Sequence, residues 1–542
     1  MPRRKWWGWG CEDDGVDETA FASLLRALER SLGEPDLRPV DVTPTDRMEL
    51  RPPRFRLPTE FADFVTAEPL DRLAHAYGKA YIDVVRAVRG DVPNPPDYVA
   101  YPRDEADISG LMRFCEAAPV AIAPYGGGTS VVGGVEPTDD RRFRGTITLD
   151  LQRFDRLLEV DPRSQLAHVE AGVLGPVLEA GLRPQGLTLR HFPRSFEFSS
   201  VGGWIVTRAA GHYATGPTHI DDLVAGVRLL SPRGPFEVVP RGYAGGGPGP
   251  ERLVLGSEGT LGVVTRAWLR LHAVPRHRAS DVVRFEDPAE GIEAVRAVVQ
   301  SGLQPANCRL VSPLETKLTG LGDGRTADLL LGFESSDHPV DEMLDRAMEI
   351  CADHGGTWVA KDGPAPVASD GPERWRSWFL QAPYLRDRLV LRGLIVETLE
   401  TASTWTAFGV LHDDLLHAVQ AAVDRECGRG FVTWRLTHAY PDGVAPYYTI
   451  IAVGEPGHEV GQWTAIKAAA SNVIEASGGT ATHHHAVGRT HLPWYERERG
   501  PLFLEALASA KRTLDPAGIM NPGVLLPETP DHGGVDRAAP RS

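Results

Sequence analysis

The segment Pro124-Tyr125-Gly126-Gly127-Gly128-Thr129-Ser130, set directly after the apolar run VAIA, constrains this chain more than any other feature. Successive glycines let a backbone turn tightly and aim neighbouring N–H groups at one point, which makes a nest for an anion. Thr129 and Ser130 add hydroxyl donors. A phosphate or pyrophosphate suits such a nest; a plain structural turn is the competing reading. No Gly-Lys-Ser/Thr follows, so it is not a Walker loop. Counted from Gly126, the sixth position is Val131, so it is not the GxGxxG dinucleotide fingerprint either. Two further small-residue stretches follow, Ser199-Ser200-Val201-Gly202-Gly203-Trp204 and Leu255-Gly256-Ser257-Glu258-Gly259-Thr260-Leu261-Gly262-Val263. Each alone reads as a loop. Three in one block favour a site that a ligand approaches closely through the backbone.

The elements around these stretches are mixed. Phe21, Leu24, Leu25, Leu28 and Leu32 recur at helical spacing, with Gly33 as a stop. RPPRFRLP (51–58) reads as a linker, and PNPP near residue 95 breaks the chain. Strand–helix–strand patterns then lead into the glycine loop, and a strand-rich block ends near residue 275. Beyond it, strands such as LLLGFE and PYYTIIAVG alternate with helices such as HDDLLHAVQAAVDRE and TAIKAAASNVIEASGG. The order is not a clean βαβ repeat, so the expected class is α+β. No internal repeat is visible.

Composition narrows the function. The net charge of −16 and pI near 5.6 argue against a bulk nucleic-acid partner. An anionic substrate would therefore need a local basic pocket. Cys11, Cys115, Cys308, Cys351 and Cys427 are far apart, with no CxxC pair, which excludes a zinc ribbon or dithiol motif and suits a reducing cytoplasm. Neither a signal peptide nor a transmembrane helix is expected, because no long apolar run occurs. The C-terminal PRS is not a peroxisomal SKL signal. Peripheral membrane contact stays open.

The order PYGGGTS, EFSSVGGW, DDLV, GSEGTLGVVTRA resembles the FAD domain of the vanillyl-alcohol oxidase/p-cresol methylhydroxylase superfamily. KWWGWG, PANCRL, YLRD, ETLETASTW, WRLTHAYPDG, HHHAVG and LDPAGIMNPG extend the resemblance over nearly the whole chain, toward the alkyldihydroxyacetonephosphate synthase (alkylglycerone-phosphate synthase) branch. The resemblance implies a helical region 1–90, a two-subdomain PCMH-type FAD-binding domain 91–275 and an α+β cap 276–500 whose antiparallel sheet is backed by helices. A segment 501–526 would return to the FAD domain, and 527–542 would be a disordered tail. It implies an alkyl-transfer enzyme of ether-lipid synthesis with no net redox, the flavin serving as a covalent electron sink. A homodimer acting on a small lipid-like substrate follows from the same resemblance.

Flavin contacts carry over onto Pro124, Tyr125, Gly126, Gly127, Gly128, Thr129 and Ser130. They carry over also onto Arg194, Ser195, Glu197, Phe198, Ser199, Ser200, Gly202 and Gly203, and onto Thr207, Arg208, Ala209 and Ala210. Glu258, Gly259, Thr260, Leu261, Gly262, Val263 and Arg309 complete the set. No His or Cys lies in PYGGGTS, so the FAD is expected to be non-covalent. Arg386 matches the substrate-phosphate arginine, where a guanidinium fork suits phosphate oxygens. Its alternative is a solvated arginine beside Arg388 and Arg392. Arg309 is implied to lie near the flavin, with a core ion pair as the alternative.

Tyr447 matches the tyrosine given acid/base work, and Tyr448, its neighbour in a strand, should face the other way. His483, His484 and His485 would border the active site and shuttle protons. If extended, they put His483 and His485 on one face and His484 on the other. No metal site is expected, because no HExxH or similar motif occurs. Departures from the family pattern are Ala486, where it has glycine, Arg489, where it has lysine, and Gly211-His212-Tyr213-Ala214-Thr215 in place of a lysine-bearing segment. These bear on substrate detail. The alternative function is an FAD-dependent oxidase or dehydrogenase of a 2-hydroxy acid such as D-lactate.

Overall fold

The computed structural model describes residues 4–215, 219–242, 244–320, 322, 324–358 and 371–527, with the backbone alone for 371–380. The tail expected at 527–542 therefore lies, from 528 on, outside the described residues.

Three larger sheets organise the described residues, beside a two-stranded pair of Leu187–Thr188 with His272–Ala273. The first has the order Val65–Thr66, Tyr98–Ala100, Thr146–Asp150, Ala121–Tyr125, its last three strands parallel. Helix Glu105–Ala117 makes the crossover into Ala121–Tyr125. Asp104 caps it by accepting from the amides of Ala106 and Asp107, and Ile108, Leu111, Met112 and Cys115 are buried. This sheet delivers the glycine loop at the carboxyl end of Ala121–Tyr125, where ligands of open α/β sheets bind. A bridge from Ile122 to Met520 sets the C-terminal segment beside that strand, with Ile122 N–H donating to the Ile519 carbonyl at 2.8 Å.

The second sheet is antiparallel, ordered Leu157–Asp161, Leu166–Glu170, Val263–Arg270, Val224–Ser231, Gly234–Val238. Helix Val201–Thr207, carrying the second small-residue stretch, packs against it through buried Val201, Trp204 and Ile205. These two sheets share one apolar core.

The third sheet is an antiparallel array running Thr357–Trp358, His277–Phe285, Ala327–Ser335, Asn307–Val311, Gly430–Ala439, Gly443–Val453, Leu394–Glu400, with Ser403–Thr404 on Gly443–Val453. Its alternate residues pack against helices Pro288–Gln300, Asp341–Asp353, Trp405–Cys427 and Glu459–Ala476. The architecture is thus α+β: a two-part glycine-loop body and a helix-backed antiparallel sheet. Among the described residues no helix is long and apolar enough to cross a membrane.

RPPRFRLP is not a free linker. Phe55 is buried, and Arg51 and Arg54 both close on the fully buried Asp97, at 2.7 and 2.8 Å. Asp97 also accepts from Thr146 N–H at 2.8 Å. The segment has linker composition but is pinned by a buried carboxylate whose removal would leave two guanidiniums uncompensated.

Candidate active site

A cavity of about 310 Å³ opens where the glycine loop meets the bare face of the third sheet. One wall is Gly126, Gly127, Gly128, Thr129 and Ser130, with Pro124 behind. Arg194, Ser195, Ser199, Ser200 and Gly203 form the next, followed by Thr207, Ala209, Ala210, Glu258 and Gly259. The two loops interlock: a Cβ on Gly127 would sit 1.8 Å from the Phe198 carbonyl oxygen, and one on Gly126 would sit 2.2 Å from Ser200 Oγ. Glycine is required here for close approach, and Gly128 also has φ +67°. Apart from Arg194 and Glu258, the wall is therefore made of backbone, hydroxyls and small side chains, the donor chemistry a pyrophosphate takes.

Other candidate residues lie outside the lining. The Tyr125 hydroxyl donates to the Ala74 carbonyl at 3.2 Å. Glu197 accepts from Tyr384 at 2.9 Å, and Phe198 packs edge-on to Trp9. Gly202 packs against Ala171, while Arg208 turns out to pair with Asp221. Thr260, Leu261, Gly262 and Val263 carry the chain away into the second sheet: Thr260 Oγ1 donates to the Ser257 carbonyl, and Gly262 lies against Leu230. These residues shape the loops rather than face the cavity.

The sheet face supplies the charge. Arg309, Thr433, Arg435, Thr437, Tyr447 and Thr449 all point at the cavity, since side chains alternate along a strand and the register sets Val311 opposite Arg435 and Arg435 opposite Tyr447. Tyr448 faces the helices instead, its hydroxyl 2.8 Å from His412 Nδ1. The Tyr447 hydroxyl accepts from Arg194 Nη1 at 3.2 Å, and the Arg435 guanidinium lies 4.1 Å over its ring. Arg435 is paired with buried Glu315, which also accepts from Thr433. Arg309 is fully buried, its Nη1 3.2 Å from His212 Nδ1. Burial, then Arg435, push it down to about 9. The departure at Gly211–Thr215 thus brings an imidazole to this arginine.

The three histidines are not extended. Thr482 to His485 wrap around the carboxylate of Glu400, at the end of strand Leu394–Glu400. His483 N–H donates to one oxygen at 2.6 Å. His484 N–H, His485 N–H and Thr482 Oγ1 donate to the other at 3.2, 3.0 and 2.6 Å. Burial raises the Glu400 carboxyl, but the imidazoles and Thr482 outweigh it and hold the group well below its usual range. Burial pushes His483 and His484 down to about 3 and His485 down to about 4. At neutral pH they are neutral bases around a fixed anion. His484 and His485 line the cavity, and His484 stacks on Tyr447 with ring centres 6.0 Å apart. His483 sits behind them, bonded to Tyr440 at 3.0 Å. His438, absent from the sequence reading, brings a ring nitrogen within 4.8 Å of one on each of His483 and His484. The next residue, Ala486, has φ +71°, a left-handed conformation that favours the glycine of the family pattern. The amides of Val487 and Gly488 close on Glu258 at 2.9 and 2.8 Å.

Arg386 lies on helix Gly371–Val390 and faces the cavity, whereas Arg388 turns outward to Glu18. The Arg386 fork rests on Asp387 Oδ1 through Nε at 3.0 Å and Nη2 at 2.7 Å. The cavity then runs into an apolar wing lined by Leu24, Leu28, Leu318, Leu385, Leu389 and Ile451. The N-terminal segment covers the glycine loop, with Arg4 donating to the Gly127 carbonyl at 3.1 Å. Glu400, Glu315, Arg435, His438 and Lys79 escaped the sequence reading. The one local signal was a charged residue inside an apolar strand, as at Arg435.

Residues 96–239 match the FAD binding domain family, and 274–525 match the FAD linked oxidases, C-terminal domain. The chain is 29% identical over 502 residues to the alkyldihydroxyacetonephosphate synthase of Dictyostelium discoideum, covering 87% of this chain and 79% of that protein. It is 25% identical to the mitochondrial D-lactate dehydrogenase [cytochrome] of Arabidopsis thaliana, covering 87% and 79%. A solved alkyldihydroxyacetonephosphate synthase superposes with TM-score 0.78 at 26% identity, covering 96% of this chain and 97% of that one. FAD is the cofactor, and the backbone-and-hydroxyl walls between Pro124 and Gly259 fit its pyrophosphate.

Proposed function

We propose that this chain, an alkyldihydroxyacetonephosphate synthase-like member of the vanillyl-alcohol oxidase/p-cresol methylhydroxylase superfamily, exchanges the acyl group of an acyl-dihydroxyacetone phosphate for a long-chain alcohol. The observation that carries this reading is one cavity joining four things: the glycine-loop wall, the Arg194–Tyr447–Arg435 stack, neutral imidazoles and an apolar wing. The overall balance is redox-neutral. The bond from C1 to the carboxylate oxygen breaks, a bond from C1 to the alcohol oxygen forms, and the products are an alkyl ether and a fatty acid.

Bound FAD supplies an electron sink for the carbon centre. Gly126 to Ser130, Ser195, Ser199 and Ser200 would hold its pyrophosphate, with Arg309 and Arg435 giving positive charge at the sheet face. Tyr447 takes and returns the C1 proton. Arg194 donates to its hydroxyl and Arg435 lies over its ring, which sets two guanidiniums beside the oxygen that exchanges the proton. The neutral imidazoles of His484 and His485 accept the proton of the incoming alcohol, and Glu400 stabilises the imidazolium that results. His483 orients His484 across a 3.0 Å contact between their Nδ1 atoms. Arg386 holds the phosphate, and the apolar wing takes the chain by burying about 0.8 kcal/mol per methylene. A homodimer, non-covalent FAD, a cytoplasmic location with peripheral membrane contact and domain divisions at 91, 276 and 501 belong to the same reading.

The test uses purified chain loaded with FAD. Labelled hexadecanol should enter acyl-dihydroxyacetone phosphate anaerobically with no electron acceptor. No exchange, together with flavin bleaching by a D-2-hydroxy acid, would replace this reading with a dehydrogenase.

A further inference from the structure

We propose that Lys79, with Arg386, forms the binding site for a phosphate monoester dianion, an inference that rests on the reading above for the substrate that carries it. Lys79 sits between helices Pro69–Ala74 and Tyr81–Val88, in a turn fixed from both sides. Its N–H donates to the Ser130 carbonyl of the glycine loop at 2.6 Å. Its own carbonyl accepts from Arg386 Nη1 at 2.6 Å. Gly78 permits this approach, since a Cβ there would lie 2.3 Å from the Ser130 carbonyl oxygen. One short turn thus ties together the glycine loop, the arginine and the lysine, and Lys79 lines the cavity.

Charge then singles out the ammonium. Among the described residues, Lys79 Nζ makes no hydrogen bond and no ion pair within 4.0 Å. The charged groups facing it are Asp387, Asp83, Arg386 and Arg4. Both carboxylates are engaged elsewhere. Asp83 accepts from Ala80 N–H at 3.0 Å and from Arg86 at 2.9 Å. Asp387 takes the Arg386 fork on one oxygen and Trp9 N–H on the other. Arg386 therefore cannot offer its paired Nε–Nη2 edge to a ligand without breaking that pair. Lys79, Arg386 and Arg4 outnumber the two facing carboxylates, Asp387 and Asp83, the latter also sharing Arg86 with Glu136, so the surroundings of Lys79 keep a net positive charge. A phosphate monoester, whose second pKa is about 6, brings two negative charges at neutral pH. A carboxylate brings one. Burial pushes the Lys79 ammonium down to about 8, and a dianion would reverse that shift.

The experiment titrates the full FAD-loaded chain with glycerol 3-phosphate and inorganic phosphate, followed by calorimetry and flavin absorbance. D-lactate serves as the carboxylate arm and dihydroxyacetone as the uncharged arm. Lys79→Met should weaken glycerol 3-phosphate binding about ten- to hundredfold. Dihydroxyacetone binding should not change, and Lys79→Arg should restore most of the loss. In turnover the same variant should raise KM for the phosphate substrate far more than it lowers kcat. The native chain gives a test without any variant. Its affinity for glycerol 3-phosphate should fall as pH rises past about 8, where the free ammonium loses its proton, while Lys79→Arg should show no such fall. Equal losses on phosphate and on dihydroxyacetone would overturn the proposal, as would a flat native profile from pH 7 to 10. Native binding of D-lactate without phosphate would overturn it too. Failed alcohol exchange with Lys79-dependent phosphate binding intact would remove the reaction reading and leave the anion site standing.

Discussion

Replacing Glu400 with glutamine keeps volume and shape while removing the charge at the centre of the histidine loop. The carboxylate accepts four bonds, three on one oxygen and one, from His483 N–H, on the other. A glutamine can place its carbonyl at the first position only by turning its NH2 toward His483 N–H. One charge-assisted bond is lost, about 1.5–3 kcal/mol, and a buried amide is left facing a second donor. The expected cost is about 2–4 kcal/mol, paid mostly by displacement of His483, His484 and His485. A displacement of 1 Å at reacting groups can cost about a hundredfold in rate. Glu400→Gln should therefore lose about a hundredfold in the exchange kcat and several degrees in thermal midpoint, with flavin content unchanged. Alcohol exchange, differential scanning fluorimetry and the flavin spectrum read the three quantities. Full kcat with an unchanged midpoint would show that the carboxylate does not organise the loop.

Tyr447→Phe should lower exchange about 10²- to 10⁴-fold while the flavin spectrum stays intact; retained turnover would remove Tyr447 from proton transfer. Gly127→Ala puts a Cβ 1.8 Å from the Phe198 carbonyl, so the protein should emerge from desalting with little FAD; full flavin content would contradict the interlocked loops. The folded-state pKa values of His483, His484 and His485 lie below the unfolded value near 6.5, so the unfolded chain binds more protons in acid and stability falls with pH. Each should cost about 1.4 kcal/mol between pH 7.5 and 5.5, the loss continuing toward the folded values near 3 to 4. Urea midpoints at the two pH values check this, and equal midpoints would mean that the imidazoles are not buried in neutral form.

What was legible in the sequence was local. The need for glycine at Gly126 and Gly127 is written into the residues themselves, because no side chain fits where two backbones meet. The opposition of Tyr447 and Tyr448 follows from the period of a strand. The backbone path of the histidine loop was open in the sequence because its shape is set by Glu400, 83 residues from His483. Arg435 and Glu315 are 120 residues apart, and Lys79 and Arg386 meet across 307. RPPRFRLP looked like a linker from its prolines, while its anchor, Asp97, lay outside the segment. In each case the missing term was a buried charge whose partner only the fold reveals.

The central claim is that a flavin held by these loops serves a redox-neutral exchange. Its most direct test is product stoichiometry under anaerobic conditions, with flavin absorbance recorded throughout. One fatty acid released for each ether formed over many turnovers, with the flavin oxidised at the end and no acceptor added, is the predicted result. Net flavin reduction, or turnover that stops after one equivalent until an acceptor is supplied, would contradict it.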